Sequence, residues 1–544
     1  MNIPNIPRLT VPDTTYRWWA LGVTIIGGFM SILDTSIVNI AIPKMMAVFS
    51  VDSEDAQWIL TAYMLTMGVL QPITGYFCDV FGTRRMYLLS LAAFTAGSAL
   101  CGIAWSNDSM IFFRIIQAVG GGLIIPVTMT IVYQVFPVKE RNMALAIWGI
   151  SAMVAPAVGP TLSGYLTEYW DWRLIFTVNI PVGIIGYVMA ALVLRETVLH
   201  KDSKFDFGGF VTSALGLFCL LLALSKGVDD GWTSPYIVAL LYVAVASLTL
   251  FVAIELNHAN PIMDLRLFQD RNFACSSMVI FLGCIGLFGG LFLIPLFMEN
   301  LRDYSAMQTG IMMLPAAVAS GLMMPVAAKL ADRFGAKPVV VAGVFFLGLS
   351  CYPLASLDMD TTYRSIELAM ILRGMGLGLF MMPVTVLGMN TVPLAKISRA
   401  SSLNNTIRQV SGSLGIALLS TMLQNRQIYH LATNAEQINV ASFPTKQAMV
   451  SFEGMLWSKG TPPAAAKHML TYIDNLYNQA GVAPGLLQQK AMALINMVVQ
   501  RQSLIFAFDD AFFFLMAMCF VALVPALLLK PAKSKGGAGP VMMD

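Results

Sequence analysis

Stretches of about 20 mostly apolar residues recur along this chain, separated by short polar connections that hold most of its lysines and arginines. As a helix at ~1.5 Å per residue, a stretch of that length crosses the ~30 Å hydrocarbon core of a bilayer. Fourteen are read, centred on residues 18–42, 57–77, 86–105, 110–134, 143–166, 174–194, 207–226, 235–255, 273–298, 308–330, 338–357, 366–391, 401–424 and 508–529. The seventh and eighth also admit a re-entrant reading, although each is long enough to span. Residues 425–507 break the pattern. There Ala464–Gln479 and Pro484–Ser503 place apolar residues at helical spacing, punctuated by Pro462, Pro463, Gly481 and Gly485, so a helical hairpin is predicted outside the membrane.

Lys and Arg placement orients the spans. With the N-terminus inside, the inner segments hold nineteen basic residues and the short outer loops five, namely Lys44, Arg173, Lys226, Arg302 and Arg364. The positive-inside rule then puts both termini in the cytoplasm. Of the 544 residues, 57% are hydrophobic and 12% charged, against ~25% charged in a soluble domain. The predicted class is an all-α integral membrane protein. A net charge of +3, with scattered basic residues, argues against nucleic acid as a partner. The seven cysteines have no CxxC or metal-ligand spacing and the four histidines lie in polar connections, so no metal site is expected. The first apolar run is too long for a signal-peptide core and is expected to stay as the first span.

The chain repeats itself. Pro72…Gly75-x3-Asp79-x2-Gly82-x-Arg84-Arg85 is echoed by Pro325…Ala328-x3-Asp332-x2-Gly335, with the two aspartates 253 residues apart. Arg114…Pro126 is echoed by Arg373…Pro383 at an offset of 259. Two six-span bundles, 1–195 and 273–544, are therefore expected to flank a two-span insert, 196–272, with the outer loop 425–507 inside the second bundle. Repeats of this kind place a substrate site at their interface near the bilayer midplane.

Asp34 lies in the first apolar run. An intramembrane carboxylate costs ~2.5–3.5 kcal/mol to insert and is a functional candidate by default. It is read as facing a polar cavity, where it takes up and releases a proton. Arg114, at a compatible depth in span 4, needs a carboxylate partner. Asp34 is ionised when paired with Arg114 and protonated when the two separate. A static structural pair is the competing reading. Gly82 permits a tight turn, and Asp79 is expected to pair with the loop arginines Arg84 and Arg85 as a conformational latch, repeated more weakly at Asp332. In span 5, Ala152, Pro156, Pro160 and Gly164 form one i, i+4 row, and Gly159 belongs to the adjacent row; such small-residue rows let helices approach closely. Asn39, Gln117, Asn404 and Arg408 are candidate polar groups of a substrate cavity. Arg373 has no evident intramembrane acid in the second half.

Gly75-x3-Asp79-x2-Gly82-x-Arg84-Arg85 and Leu33-Asp34-x-Ser36-x2-Asn39-x-Ala41-x-Pro43 together make the chain resemble the major facilitator superfamily. The branch is that of the fourteen-span drug:proton antiporters, and the likeness to EmrB-type multidrug exporters covers essentially the whole length. It implies the major facilitator fold, a role for Arg114 in proton transfer, and a loop latch that holds the outward-open state. Ala155–Gly164 matches the motif that marks exporters, and Trp172-Arg173-x2-Phe176-x2-Asn179 also fits the branch, in a structural role. The second latch copy departs from the pattern, with Ala328 for glycine and Pro338 for the second arginine. The resemblance further implies a proton-coupled secondary transporter rather than an enzyme, with no cofactor beyond the proton gradient. Its expected partners are protons, the lipid bilayer and hydrophobic or amphipathic substrates. Its expected place is the bacterial cytoplasmic (inner) membrane, working with a periplasmic membrane-fusion adaptor and an outer-membrane channel. The alternative for the outer hairpin is a lid over the exit. The alternative for function is a dedicated metabolite or siderophore exporter. No Walker sequence, Ser/His/Asp arrangement or acidic metal site appears, which argues against ATP-driven or enzymatic chemistry.

Overall fold

The computed structural model describes residues 12–196, 205–258, 260–358, 361–436 and 484–530. Among them there is helix and no strand. The helices are α1 (Asp13–Phe49), α2 (Ser53–Phe81), α3 (Thr83–Gly102), α4 (Asn107–Val135), α5 (Arg141–Tyr169), α6 (Leu174–Thr177), α7 (Asn179–Val193), α8 (Phe207–Lys226), α9 (Pro235–Asn257), α10 (Arg271–Arg302), α11 (Ala306–Phe334), α12 (Ala336–Cys351), α13 (Tyr363–Met389), α14 (Ile397–Glu436), α15 (Pro484–Val521) and α16 (Leu523–Leu528). Eleven spans formed by them are long and apolar enough to cross a membrane, α8 and α9 included. The other three predicted spans are occupied by α2, α3 and α14, helices of 29, 20 and 40 residues. Predicted span 6 is broken at Val178 into α6 and α7.

Local chemistry sets the helix ends. Asp52, Ser106, Asp206, Ser234, Asp270 and Ser305 each cap the first turn of the next helix with a side-chain oxygen, satisfying otherwise orphaned N–H groups. Gly82 and Gly335 turn the chain from α2 into α3 and from α11 into α12 with φ of 87° and 88°. That left-handed region favours glycine, so the two repeat copies use one residue for one bend. The repeat extends to packing: Gly97 and Gly120 bring α3 and α4 into backbone contact, and Gly343 and Gly376 do the same for α12 and α13. Large apolar side chains such as Tyr242, Val245 and Leu322 are exposed, a surface that suits lipid rather than water.

The chain divides into two compact units. The first holds Met1–Pro353, Thr362–Ala417 and Leu515–Asp544, with α1 to α13. Within it α5 packs along α11, α2 against α4 and α8, and α12 against α13. The second unit holds Leu354–Thr361 and Leu418–Phe514. In it α14 and α15 meet through Asn434 Nδ2 donating to Ser503 Oγ at 2.9 Å, and through Asp510, which lies 2.9 Å from His430 and 3.5 Å from Arg426. Of the predicted outer hairpin, Ala464–Gln479 lies outside the described residues. Pro484–Ser503 is helical, but it runs unbroken into the last span, and α14 continues to Glu436, beyond its predicted end. No Gly or Pro interrupts 416–436 or 486–524, so nothing in the sequence stops either helix.

Candidate functional site

Asp34 and Arg114 are brought together, both fully buried, with Arg114 Nη1 2.5 Å from Asp34 Oδ2. The carboxylate accepts two further hydrogen bonds at Oδ1, from Gln117 Nε2 at 2.8 Å and Asn179 Nδ2 at 3.1 Å. Gln117 Oε1 accepts from Arg114 Nη1 at 2.7 Å, and both amides also donate to Ser98 Oγ at 3.1 Å. The guanidinium lies 3.9 Å over the Tyr63 ring, and its Nε donates to the Ile59 carbonyl. Arg114 Nη2 is buried with no hydrogen-bond partner among the described residues. Five helices thus converge: α1 supplies the acid, α4 Arg114 and Gln117, α3 Ser98, α7 Asn179 on its first turn, and α2 the Ile59 carbonyl and Tyr63 ring. Removing two charges from water costs several kcal/mol per ion, so such a centre persists only with this many donors aimed at the carboxylate.

Asp34 does not face a polar cavity as its place in the sequence predicts. Asp34 lines neither described cavity, because Gln117 and Asn179 occupy the space around it and supply the donors that water would. Gln117 belongs to this sealed centre and not to the cavity wall. Asn39 is an exposed position of α1 and lines neither cavity. The sequence reading gave Asn179 only a structural role and overlooked Ser98; the one signal for Asn179 was its place in the Trp172…Asn179 motif.

The main cavity, of about 230 Å³, is walled by α1, α2, α4, α5, α10, α11, α13 and α14. Its surface is overwhelmingly apolar, with Trp148, Phe288 and five methionines (Met153, Met313, Met370, Met381, Met382). Its polar side chains are Gln71, Ser320, Arg373, Asn405, Arg408 and Gln409. Asn404 lines a smaller recess with Arg408, Tyr133 and Thr385. Ile32 of α1 and Pro156 of α5 reach the main cavity, while Ser36 of α1 abuts Gly159 of α5. Helix α1 therefore touches the cavity and the sealed acid at once. Pro160 packs near Gly310 of α11, but Gly164 has open space where its side chain would be, so that position brings no helices together.

At the end of the bundle where α2 finishes and α14 starts, the first six spans meet the last six through polar contacts. Asp79 Oδ2 pairs with Arg399 Nε at 3.1 Å, Arg141 Nη1 donates to Asn390 Oδ1 at 3.0 Å, and Asn142 Nδ2 donates to Asp332 Oδ1 at 2.5 Å. Ser401 donates to the Pro126 carbonyl, and Ser402 to those of Gln71 and Pro72. A side chain at Gly75 would strike the Arg399 backbone, which explains the glycine. The expected pairing of Asp79 with Arg84 or Arg85 is replaced by this longer-range contact. Arg84 instead donates Nη2 to the Ala191 carbonyl at 2.8 Å, and Arg85 lies 3.7 Å from Glu196. These side-chain hydrogen bonds tie the two sets of spans together at this end and hold it shut.

A multi-pass helical bundle whose two sets of spans share a cavity, with a charge pair sealed beside it, defines a membrane carrier. Residues 24–416 match the Major Facilitator Superfamily, and the chain belongs to it. It is a transporter and not an enzyme. It is 35% identical over 419 residues, 77% of this chain and 79% of the relative, to the uncharacterized MFS-type transporter YhcA of Bacillus subtilis (strain 168). It is 27% identical over 515 residues, 94% of this chain and 95% of the relative, to the multidrug export protein EmrB of Escherichia coli (strain K12). In fold it is similar to a double-tryptophan XylE mutant, with a TM-score of 0.60 at 13% identity, covering 96% of this chain and 97% of that one.

Proposed function

We propose that this chain is a proton-driven exporter of hydrophobic or amphipathic compounds, a drug:H+ antiporter of the bacterial cytoplasmic membrane with both termini inside. The observation that carries the reading is the sealed Asp34–Arg114–Gln117–Asn179 centre on a helix that also walls the cavity. With the Asp79–Arg399 end closed on the cytoplasmic side, the carrier faces outward. Substrate leaves, α1 moves, and a proton reaches Asp34. Protonation cancels the charge on which Arg114, Gln117 and Asn179 converge, which lowers the cost of rearranging the two sets of spans. On the inner side the proton leaves, the pair reforms, and a new substrate is loaded. The proton gradient is the energy source, with no cofactor. The latch residues Gly75, Asp79, Gly82 and Asp332 set the balance between the two states, and Pro156, Gly159 and Pro160 guide α5 against α1 and α11. The methionine-rich wall repacks around varied ligands. Similarity to the multidrug export protein EmrB along nearly the full length supports export, and a periplasmic adaptor with an outer-membrane channel belongs to the same proposal as what the family resemblance implies.

The test is substrate uptake into everted vesicles with an imposed pH gradient, comparing the native chain with Asp34→Asn. Gradient-dependent uptake that disappears in the variant at equal expression is expected. Uptake unchanged in the variant would remove Asp34 from the coupling step.

A further inference from the structure

The repeat is chemically asymmetric. The 253-residue offset between Asp79 and Asp332 carries Asp34 onto Leu287, so the second six spans have a leucine where the first have the acid. Arg373, the counterpart of Arg114, accordingly has no carboxylate: its Nη2 donates to the carbonyls of Gly286 and of Leu287, the latter at 3.2 Å, and its Nη1 lies 3.9 Å from Cys351 Sγ. A side chain at Gly290 would run into this guanidinium, so glycine there lets Arg373 lie against α10. Carbonyl dipoles hold a cation in place without neutralising it. Arg408, one helix away, donates Nη2 to Thr385 Oγ1 at 2.7 Å, and its buried Nε has no partner among the described residues. Neither arginine is in an ion pair with a described residue, and no Asp or Glu lines the cavity. The cavity is thus an apolar chamber with two arginines on its wall and no Asp or Glu among the described residues that line it.

We propose that this cavity selects amphipathic anions, molecules with one carboxylate or sulfonate and an apolar body, whose head binds at Arg408 and Arg373 while the body lies among Phe288, Leu291, Ile294 and Met382. The proposal rests on the exporter reading for its biological use, although binding itself needs no gradient. In a low-dielectric chamber an uncompensated positive charge strengthens the attraction for an anion and repels an organic cation of the same size. Arg suits the head group because its planar fork pairs bidentately with carboxylate. Gln71, Asn405 and Gln409 are neutral and give a cation no ionic alternative.

The test is calorimetric titration of the full chain in zwitterionic-lipid nanodiscs with octanoate, octyltrimethylammonium and octanol, each corrected against empty discs. Octanoate is expected to bind at least about tenfold more tightly than the cation, the scale of one charged hydrogen bond. Arg408→Gln should remove that preference and leave octanol unchanged, which also shows that the variant is folded, while Arg408→Lys should retain part of it. Equal binding of cation and anion overturns the proposal, as does octanoate affinity unaltered in both Arg408→Gln and Arg373→Gln. Loss of octanoate binding when phosphatidylglycerol is added to the discs would assign the site to a lipid headgroup and overturn the substrate claim. Failure of gradient-driven export with this preference intact would instead overturn only the exporter reading.

Discussion

At the scale of single residues, the sealed centre is an instance of a buried ion pair whose members are stable only together. Truncating one partner strands the other charge in a dry site, whereas removing both leaves only a void. Arg114→Ala should therefore destabilise the fold by roughly 3–5 kcal/mol, and Asp34→Ala in the same chain should restore much of that loss. Unfolding midpoints of the purified variants in denaturant measure both effects, and a double variant no more stable than Arg114→Ala alone would contradict the account. Asp34 and Arg114 were legible in the sequence because each is a lone charge in an apolar run, at a similar depth. Gln117 was legible as polar but was assigned to the wrong surroundings, since an amide three residues after Arg114 looks the same in sequence whether it faces a cavity or a carboxylate. Ser98 gave no such signal, and Asn179 only its place in the Trp172…Asn179 motif. Asn179 reaches Asp34 across 145 residues and Ser98 across 81, distances that local pattern does not encode.

At the scale of elements, the repeated turns were readable because backbone geometry acts locally: Gly82 and Gly335 are the residues that can take the positive φ needed between two tightly joined helices. What the turn motif holds was not readable. Asp79 reaches Arg399, 320 residues away, and Gly75 is required because α14 passes against it. A bulky residue at 75 should keep this end from closing. In Gly75→Leu, a cysteine introduced as Asn390→Cys should react with a membrane-impermeant maleimide on the order of tenfold faster than in the Gly75 chain, because its contact with Arg141 is lost. The native cysteines are buried, apart from the half-buried Cys275, which keeps background labelling low. Equal labelling of the two chains would show that the end closes without this helix contact. The same local logic explains the helix that passes residues 484–521 without a break: with no Gly or Pro between Gly485 and Pro525, the hairpin helix and the last span become one element.

At the scale of the whole molecule, transport requires that the contacts between the two sets of spans break and reform. Arg141 and Asn390, whose side chains meet at 3.0 Å, mark that seam. Joining Arg141→Cys to Asn390→Cys with a short bifunctional maleimide should abolish transport in everted vesicles, while either single variant treated in the same way keeps most of its activity. Transport that survives efficient cross-linking would mean that the seam does not open. The sequence by itself determined the apolar helices, the repeat and its turn glycines, and the two intramembrane charges, because length, hydropathy and backbone constraint act over a few residues. Only the tertiary structure decided that Asp34 is sealed and not open to a cavity, that Asp79 pairs with Arg399, and that Arg373 and Arg408 line the cavity with no Asp or Glu among its described lining residues. Those facts depend on which side chains fill the space between helices far apart in the chain, and the energy of a buried charge is set by that filling.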